Sequence, residues 1–247
     1  MDGLTFTIAL EAFGRDRLPY PLRYLPEGFD ALDDYQRARA ESAQRLAETA
    51  SERLYRALEV LLNPQVRVEM HGFYGPDLGR VVRVHAGMVG RIAALAVQLP
   101  GSTREYGGDI ILLACAAAEL PGHLAANLPK CPPGTRPPIT ARRSDLETAE
   151  YARDPIHLSH NEKLNRIVRR KRSSIGEVGV FPGPALDARP TTDGRGFHWM
   201  DYQPRDGRYL LLHHGPEDFT LTPGSPDTLT RHLHDLLLGT RNAVVGR

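Results

Sequence analysis

Apolar and polar residues alternate along this chain at two periods, which separates extended from helical stretches. Leu4, Phe6, Ile8 and Leu10 alternate with Thr5, Thr7, Ala9 and Glu11, which predicts a first strand, or a strand running into a short helix. Leu18-Pro19-Tyr20-Pro21-Leu22 reads as a proline-stiffened connector. From Asp33 to Leu62 there is no Gly or Pro, and Leu46, Ala50, Leu54, Leu58 and Leu62 recur every fourth residue. That spacing predicts one long amphipathic helix ending at Asn63-Pro64. Four strands follow. Val66, Val68 and Met70 alternate with Arg67, Glu69 and His71, and Arg80–His85 returns after a Gly-Pro-Asp turn. Ile92–Leu99 and Ile110–Cys115 are apolar on both faces, which places them centrally in a sheet. A short helix is expected over Pro121–Asn127.

The second half repeats this order. Ser144–Glu147 and Ser159–Glu162 read as capping boxes on either side of a break at Asp154-Pro155. Strands are expected at Ile175–Phe181, Gly196–Tyr202, Arg208–His213 and Asp218–Thr222. Ser225-Pro226 then caps a helix that carries Leu229, Leu233, Leu236 and Leu237 and closes at Gly239. Local signals recur as well. Phe73-Tyr74-Gly75-Pro76 matches Phe181-Pro182-Gly183-Pro184, Gly79-Arg80 matches Gly194-Arg195, and His123-Leu124 matches His232-Leu233. The expected fold is α+β: two quasi-symmetric ββββα halves sharing a largely antiparallel sheet, with long flanking helices. Residues 33–128 and 143–239 form the pseudo-repeat within a single domain spanning 1–247, and a Pro-rich crossover, 129–141, joins them.

Composition narrows the function classes. The 247 residues are 41% hydrophobic and 25% charged with a net charge of +1, so no global field favours nucleic acid or an acidic membrane. Arg169-Arg170-Lys171-Arg172 suits the solvated C-terminal end of a helix. Cys115 sits in an apolar run as a buried thiol, and Cys131 lies in the Pro-rich loop; together they make no disulfide framework. No apolar run approaches the ~20 residues of a membrane span, and the opening segment lacks the features of a signal peptide. A cytosolic protein without stable membrane association is expected.

Candidate chemistry is sparse. His213-His214 point to opposite strand faces, and His232 and His234 fall on different helical faces. His157 and His160 share a face without a third ligand, so no metal site and no cofactor are expected. No nucleophile elbow, P-loop or strand-linked GxGxxG occurs. Asp201, Asp206 and Arg208 read as braces of a hairpin in preference to a carboxylate–guanidinium site. Phe197 and Trp199 read as core residues in preference to a base-stacking platform, for want of a basic surround. Phe73-Tyr74 beside Gly75-Pro76 makes an aromatic loop tip, open to two readings: a protein contact, or a tip folded on its own core.

The N-terminal Leu-Pro-Tyr-Pro-Leu, the long charged helix, RRKRSSIGEVGV, the Trp199–Asp201 pair, Gly207-Arg208-Tyr209 and the Leu-rich terminal helix together resemble the EspG family of ESX (type VII) secretion-associated proteins. Asp201-Tyr202 departs from that pattern, where Thr is expected after the Asp, and so does the Pro-rich Cys131–Pro138. The resemblance implies a non-enzymatic cytosolic chaperone of actinobacteria, a monomer or weak homodimer. Its partner would be a PE–PPE-like heterodimer, held by the helical tip of the PPE subunit, or another helical secreted client. The implied contacts are one sheet face, the loop between the second and third strands (His71–Arg80, if Leu4–Leu10 is the first strand) and the C-terminal helices. The candidate partner-binding residues are Phe73, Tyr74, Pro76, Phe197, Trp199, Leu211 and Leu233. Two other classes remain open: a small-ligand-binding protein or enzyme whose pocket between sheet and helices would be lined by groups such as His198 and Tyr202, and an adaptor that only oligomerises.

Overall fold

The computed structural model describes residues 1–147, 160–185, 194–204 and 206–245, with the backbone alone for 147, 160, 161 and 245. The expected capping box at Ser159, the break at Asp154-Pro155 and the His157–His160 pair fall wholly or partly outside the described residues.

Among the described residues, nine strands form one sheet in which every pairing is antiparallel. The first half supplies β1 (Val66–Tyr74), β2 (Arg80–Val89), β3 (Ile92–Pro100) and β4 (Gly107–Ala116). The second supplies β6 (Ser174–Pro182), β7 (Arg195–Asp201), β8 (Arg208–His213) and β9 (Asp218–Pro223). Ile139–Arg142, within and just beyond the crossover, forms a further short strand, β5. The order β4-β3-β2-β1-β6-β7-β8-β9-β5 mirrors itself about the β1–β6 seam. Met70 faces Val178 across that seam, and these are also the positions that the Phe73–Phe181 match makes equivalent. The pairing is thus self-complementary, as at a two-fold axis. We propose that 33–128 and 143–239 are two copies of one unit, joined by 129–141.

Among the described residues, seven α-helices flank the sheet: α1 (Gly3–Glu11), α2 (Leu32–Thr49), α3 (Glu52–Leu62), α4 (Leu120–Ala126), α5 (Arg143–Glu147), α6 (His160–Val168) and α7 (Pro226–Val245). On one face, Leu120 and Leu124 of α4 and Leu229, Leu233 and Leu237 of α7 pack on the valines of β1, β2 and β6 and on Phe197 and Trp199 of β7. On the other, α1 and α3 cover the first half through Phe6, Leu10, Leu58 and Leu61, while Leu164 and Ile167 of α6 cover the second.

Several expectations need correction. Leu4–Leu10 is helical, not a strand. Asp2 caps α1 by accepting from the Thr5 amide at 2.8 Å, and Thr5 and Ala9 are buried with Phe6 and Leu10, so the two-residue alternation does not describe the buried face. The long helix breaks at Ala50, whose backbone is extended, and Ser51 caps α3 by accepting from the Leu54 amide at 3.2 Å. Strand β4 is an edge, not a central strand: α1 covers one of its faces, while Met1 exchanges both backbone bonds with Ile110 along its rim. Helix α5 starts one residue before Ser144, and Asp145 accepts from the Arg142 amide at 2.7 Å. Gly239 does not end α7, which continues to Val245 with Thr240 buried beyond the glycine.

The core of the second half rests on a packing fit. The Trp199 indole lies across Gly176 and Gly72, where a Cβ would come within 2.1 and 2.4 Å of its ring. Its Nε1 donates to Ser174 Oγ at 2.9 Å. Next to it, Arg208 Nε and one terminal nitrogen each donate to the Asp201 carboxylate at 2.7 Å, and both side chains are buried. These residues brace the β7–β8 hairpin, as expected. Asp206 lies outside that pair: it braces the turn by accepting from the Gly207 amide and the Tyr209 hydroxyl, and pairs with Arg170.

Removing one member of that pair leaves the other charged and buried. Asp201→Ala is expected to cost about 3–5 kcal/mol in urea unfolding, and the double variant Asp201→Ala/Arg208→Met markedly less. A single-variant cost below about 1 kcal/mol would show that the pair is not a brace. A second test concerns His85, which is fully buried with Nδ1 2.7 Å from the Tyr20 carbonyl oxygen. Burial pushes its pKa down from 6.5 to about 4. The folded state therefore binds fewer protons than the unfolded one below pH 6.5, and stability is lost as pH falls from there towards 4. The loss is expected to approach ~3 kcal/mol, and its slope should flatten in this window for His85→Gln.

Candidate functional site

Among the described residues, the helices that cover the second sheet face leave Glu177 and His198 exposed near its middle. Strand β1 turns Arg67, Glu69, His71 and Phe73 to this face, the alternates of Val66, Val68 and Met70 in the core. Across the seam, β6 presents Ile175, Glu177 and Phe181, and His198 and His213 follow on β7 and β8. The result is a polar strip with aromatic margins. Glu177 is 54% exposed and His198 45% exposed, and the ring of Tyr20 leans over the strip 5.6 Å from His71.

The strip is linked electrostatically. Arg67 Nε donates to Glu69 at 2.8 Å, and its guanidinium stacks 4.4 Å from the centre of the Phe181 ring. Burial pushes Glu69 up in spite of that partner. Burial, then the charges of Glu177 and Glu69, raise the Tyr20 phenol to about 12, so it stays neutral. His198 Nδ1 lies 3.1 Å from His213 Nε2, and His198 Nε2 lies 3.7 Å from Glu177. Burial, followed by the charge of His198, lowers the His213 pKa.

At the Gly75 end of the strip lies an open groove of about 1340 Å³. The turn 75–78, residues 135–136, the basic stretch 170–173, the β7–β8 turn and Asp206 line it. Asp206 ties these segments together. It accepts from the Thr135 amide at 3.0 Å, from Arg170 at 2.7 Å and from the Tyr209 hydroxyl at 3.1 Å. Burial would raise its carboxyl, but these bonds outweigh burial and hold it below the usual carboxylate range.

The expected binding residues separate into two groups. Phe197, Trp199 and Leu233 are buried against the α4–α7 layer, so they support the sheet and offer nothing to a partner. Tyr74 also faces that layer, half-buried. Phe73, half-buried, stands between strip and groove with Arg104 5.5 Å over its ring, and Pro76 is exposed in the groove wall. Leu211 pairs with His198 at the strip margin. His71–Arg80 joins the first strand to the second, because Leu4–Leu10 is a helix. The loop between the second and third strands is the tight turn Gly90-Arg91. Helix α7 lies on the face opposite the strip, so the expected sheet and C-terminal contacts do not form one surface.

His198 and Tyr202 line no common site. Tyr202 is buried with its hydroxyl 3.4 Å from Met200 Sδ, while His198 faces His213. Sequence reasoning missed Tyr20, Glu177 and the Asp206 hub. The polar alternates Arg67, Glu69 and His71 were the available signal for the strip. It also missed a grouping of Cys115, Glu119 and His123 at the end of β4, where Cys115 is half-exposed and not a buried thiol.

An expected outcome tests the histidine pair. In an NMR titration, His213 should titrate below 6.5, and His198→Ala should move it upward without restoring 6.5, because burial is the larger cause. No movement would show that the two rings are uncoupled.

In comparison with known proteins, a family model described as the EspG family matches residues 2–235. No curated protein matches the chain.

Proposed function

The chain belongs to the EspG family of ESX (type VII) secretion-associated proteins, and from that premise we propose that it is a cytosolic chaperone for a helical secreted client. The client is the PPE subunit of a PE–PPE-like heterodimer, bound by its apolar helical tip, kept soluble and delivered to the secretion machine. One observation supports the placement: among the described residues the helical layers leave three adjacent strands, β6, β7 and β8, exposed at Glu177, His198 and His213, with the largely buried Glu69 of β1 beside them. Strands about 4.8 Å apart make that strip about 10 Å wide, close to the width of one helix of about 10–12 Å. Tyr20, Phe73 and Leu211 give it apolar margins, and the carboxylates and histidines between them select the partner by charge. Among the described residues no helix is long and apolar enough to cross a membrane. The reading involves no catalysis.

Co-expression with PE–PPE-like pairs encoded nearby tests this. A stable complex containing one copy of each chain is expected by light scattering. Phe73→Asp and His198→Asp should each weaken it by about tenfold or more, or ~1.4 kcal/mol, while His234→Asp on exposed α7 leaves it unchanged. If His234→Asp is the change that breaks the complex, the client docks on the helical face and the strip is excluded. If no such pair binds, the PE–PPE assignment is wrong.

A further inference from the structure

We propose that Cys115, Glu119 and His123 form a binding site for one Zn²⁺ at the corner between β4 and α4. One donor atom from each of the three lies within 4.8 Å of the others. The local fold produces this convergence. Cys115 is the penultimate residue of β4, and the chain reverses at once, the Glu119 amide donating to the Ala116 carbonyl oxygen at 2.9 Å. Glu119 then occupies the position before α4, and His123 follows one turn later on the same side. The strand end and the first helical turn thus present their side chains to one point.

The donor set defines the ion. A thiolate, an imidazole and a carboxylate suit Zn²⁺ and reject Ca²⁺ and Mg²⁺, which take oxygen ligands. Bond lengths of about 2.0–2.3 Å put tetrahedral ligands about 3.5 Å apart, so the donors must close by about 1 Å. Glu119 is exposed and Cys115 and His123 are half-exposed, which leaves them room to do so. One Glu119 oxygen is already oriented, since Oε2 accepts from the Ala116 amide at 3.0 Å. Three protein ligands leave the fourth position to water. The charges of thiolate and carboxylate balance those of the ion, so the site costs little to close. Its effect is to tie the edge strand to α4, and through α4 to α7, on which α4 packs. None of this depends on the chaperone reading.

The test uses the full chain, reduced, without a polyhistidine tag and stripped of metal. Titration with Zn²⁺ should give one equivalent bound. Co²⁺ in its place should give a thiolate charge-transfer band in the near ultraviolet. Loss of an outer-shell group typically costs ~10–100-fold in metal affinity, so Cys115→Ser and His123→Ala should each lose at least about tenfold, with Cys131→Ser unchanged. A measurement on the unaltered chain covers the event that a variant misfolds: Zn²⁺ should protect Cys115, and not Cys131, from alkylation read by mass spectrometry. Less than one equivalent, no thiolate band, or equal binding by Cys115→Ser and His123→Ala would each overturn the site.

Discussion

The antiparallel pairing of β1 with β6 is the interaction on which the rest of the structure depends. It joins residues far apart in sequence, and without it the sheet would fall into a four-stranded and a five-stranded piece, each with an open inner edge. The seam is locked from the α4–α7 side by Trp199, which reaches from β7 over both seam strands. That reach requires Gly72 and Gly176, since any side chain there would occupy the space of the indole. Burying a tryptophan contributes roughly 5 kcal/mol at ~25 cal/mol/Å², as an upper bound. A single side chain therefore ties three strands, and two of the three come from the seam.

The two sheet faces play different parts because helices cover them differently. Helix α7 contacts both seam strands and packs on α4, and together they seal one face with aliphatic side chains. On the other face the described helices from each half stop short of β6 and β7, which carry side chains that meet water at Glu177 and His198. Glutamates and histidines there are the structural consequence of that gap, and they are also what a partner would meet. The same logic explains the buried arginine. Arg67 sits at the rim of the strip with 4% exposure, and stays charged at acceptable cost because Glu69, backbone carbonyls at the end of β6 and the Phe181 ring surround it.

Most of the fold was legible in the sequence because β1 to β4 and β6 to β9 each carry alternation or an apolar run bounded by Gly, Pro and Asp. Helix α1 was not, since alternation over seven residues also occurs on a helix buried on most of its surface. The break at Ala50-Ser51 was hidden because Ala50 falls in the leucine stripe and Ser51 is a cap only if the chain turns there. The edge position of β4 was obscured by α1, which buries one face of an edge strand as a neighbouring sheet layer would. For the candidate site, the polar alternates of β1 were visible, but which face stays open depends on where helices from both halves end. Phe197 and Trp199 were read as core and yet named, with Leu233, as partner contacts, because alternation shows which residues share a face and not which face a helix covers.

The self-complementary seam has a consequence for assembly. A strand pairing related by a two-fold axis can be satisfied equally well by the matching half of a second molecule, so nothing in the contact itself selects the intramolecular partner. What selects it is the crossover between the halves. Part of that crossover is itself fixed to the sheet: Pro133 bridges to Arg208, and Gly134 donates to the Arg208 carbonyl oxygen at 2.8 Å. A short tether of this kind presents one half to the other at roughly millimolar effective concentration, far above the concentration of a second chain in solution. The proline-rich segment thus acts as a concentrating device, through which chain connectivity favours intramolecular pairing over exchange with a second chain.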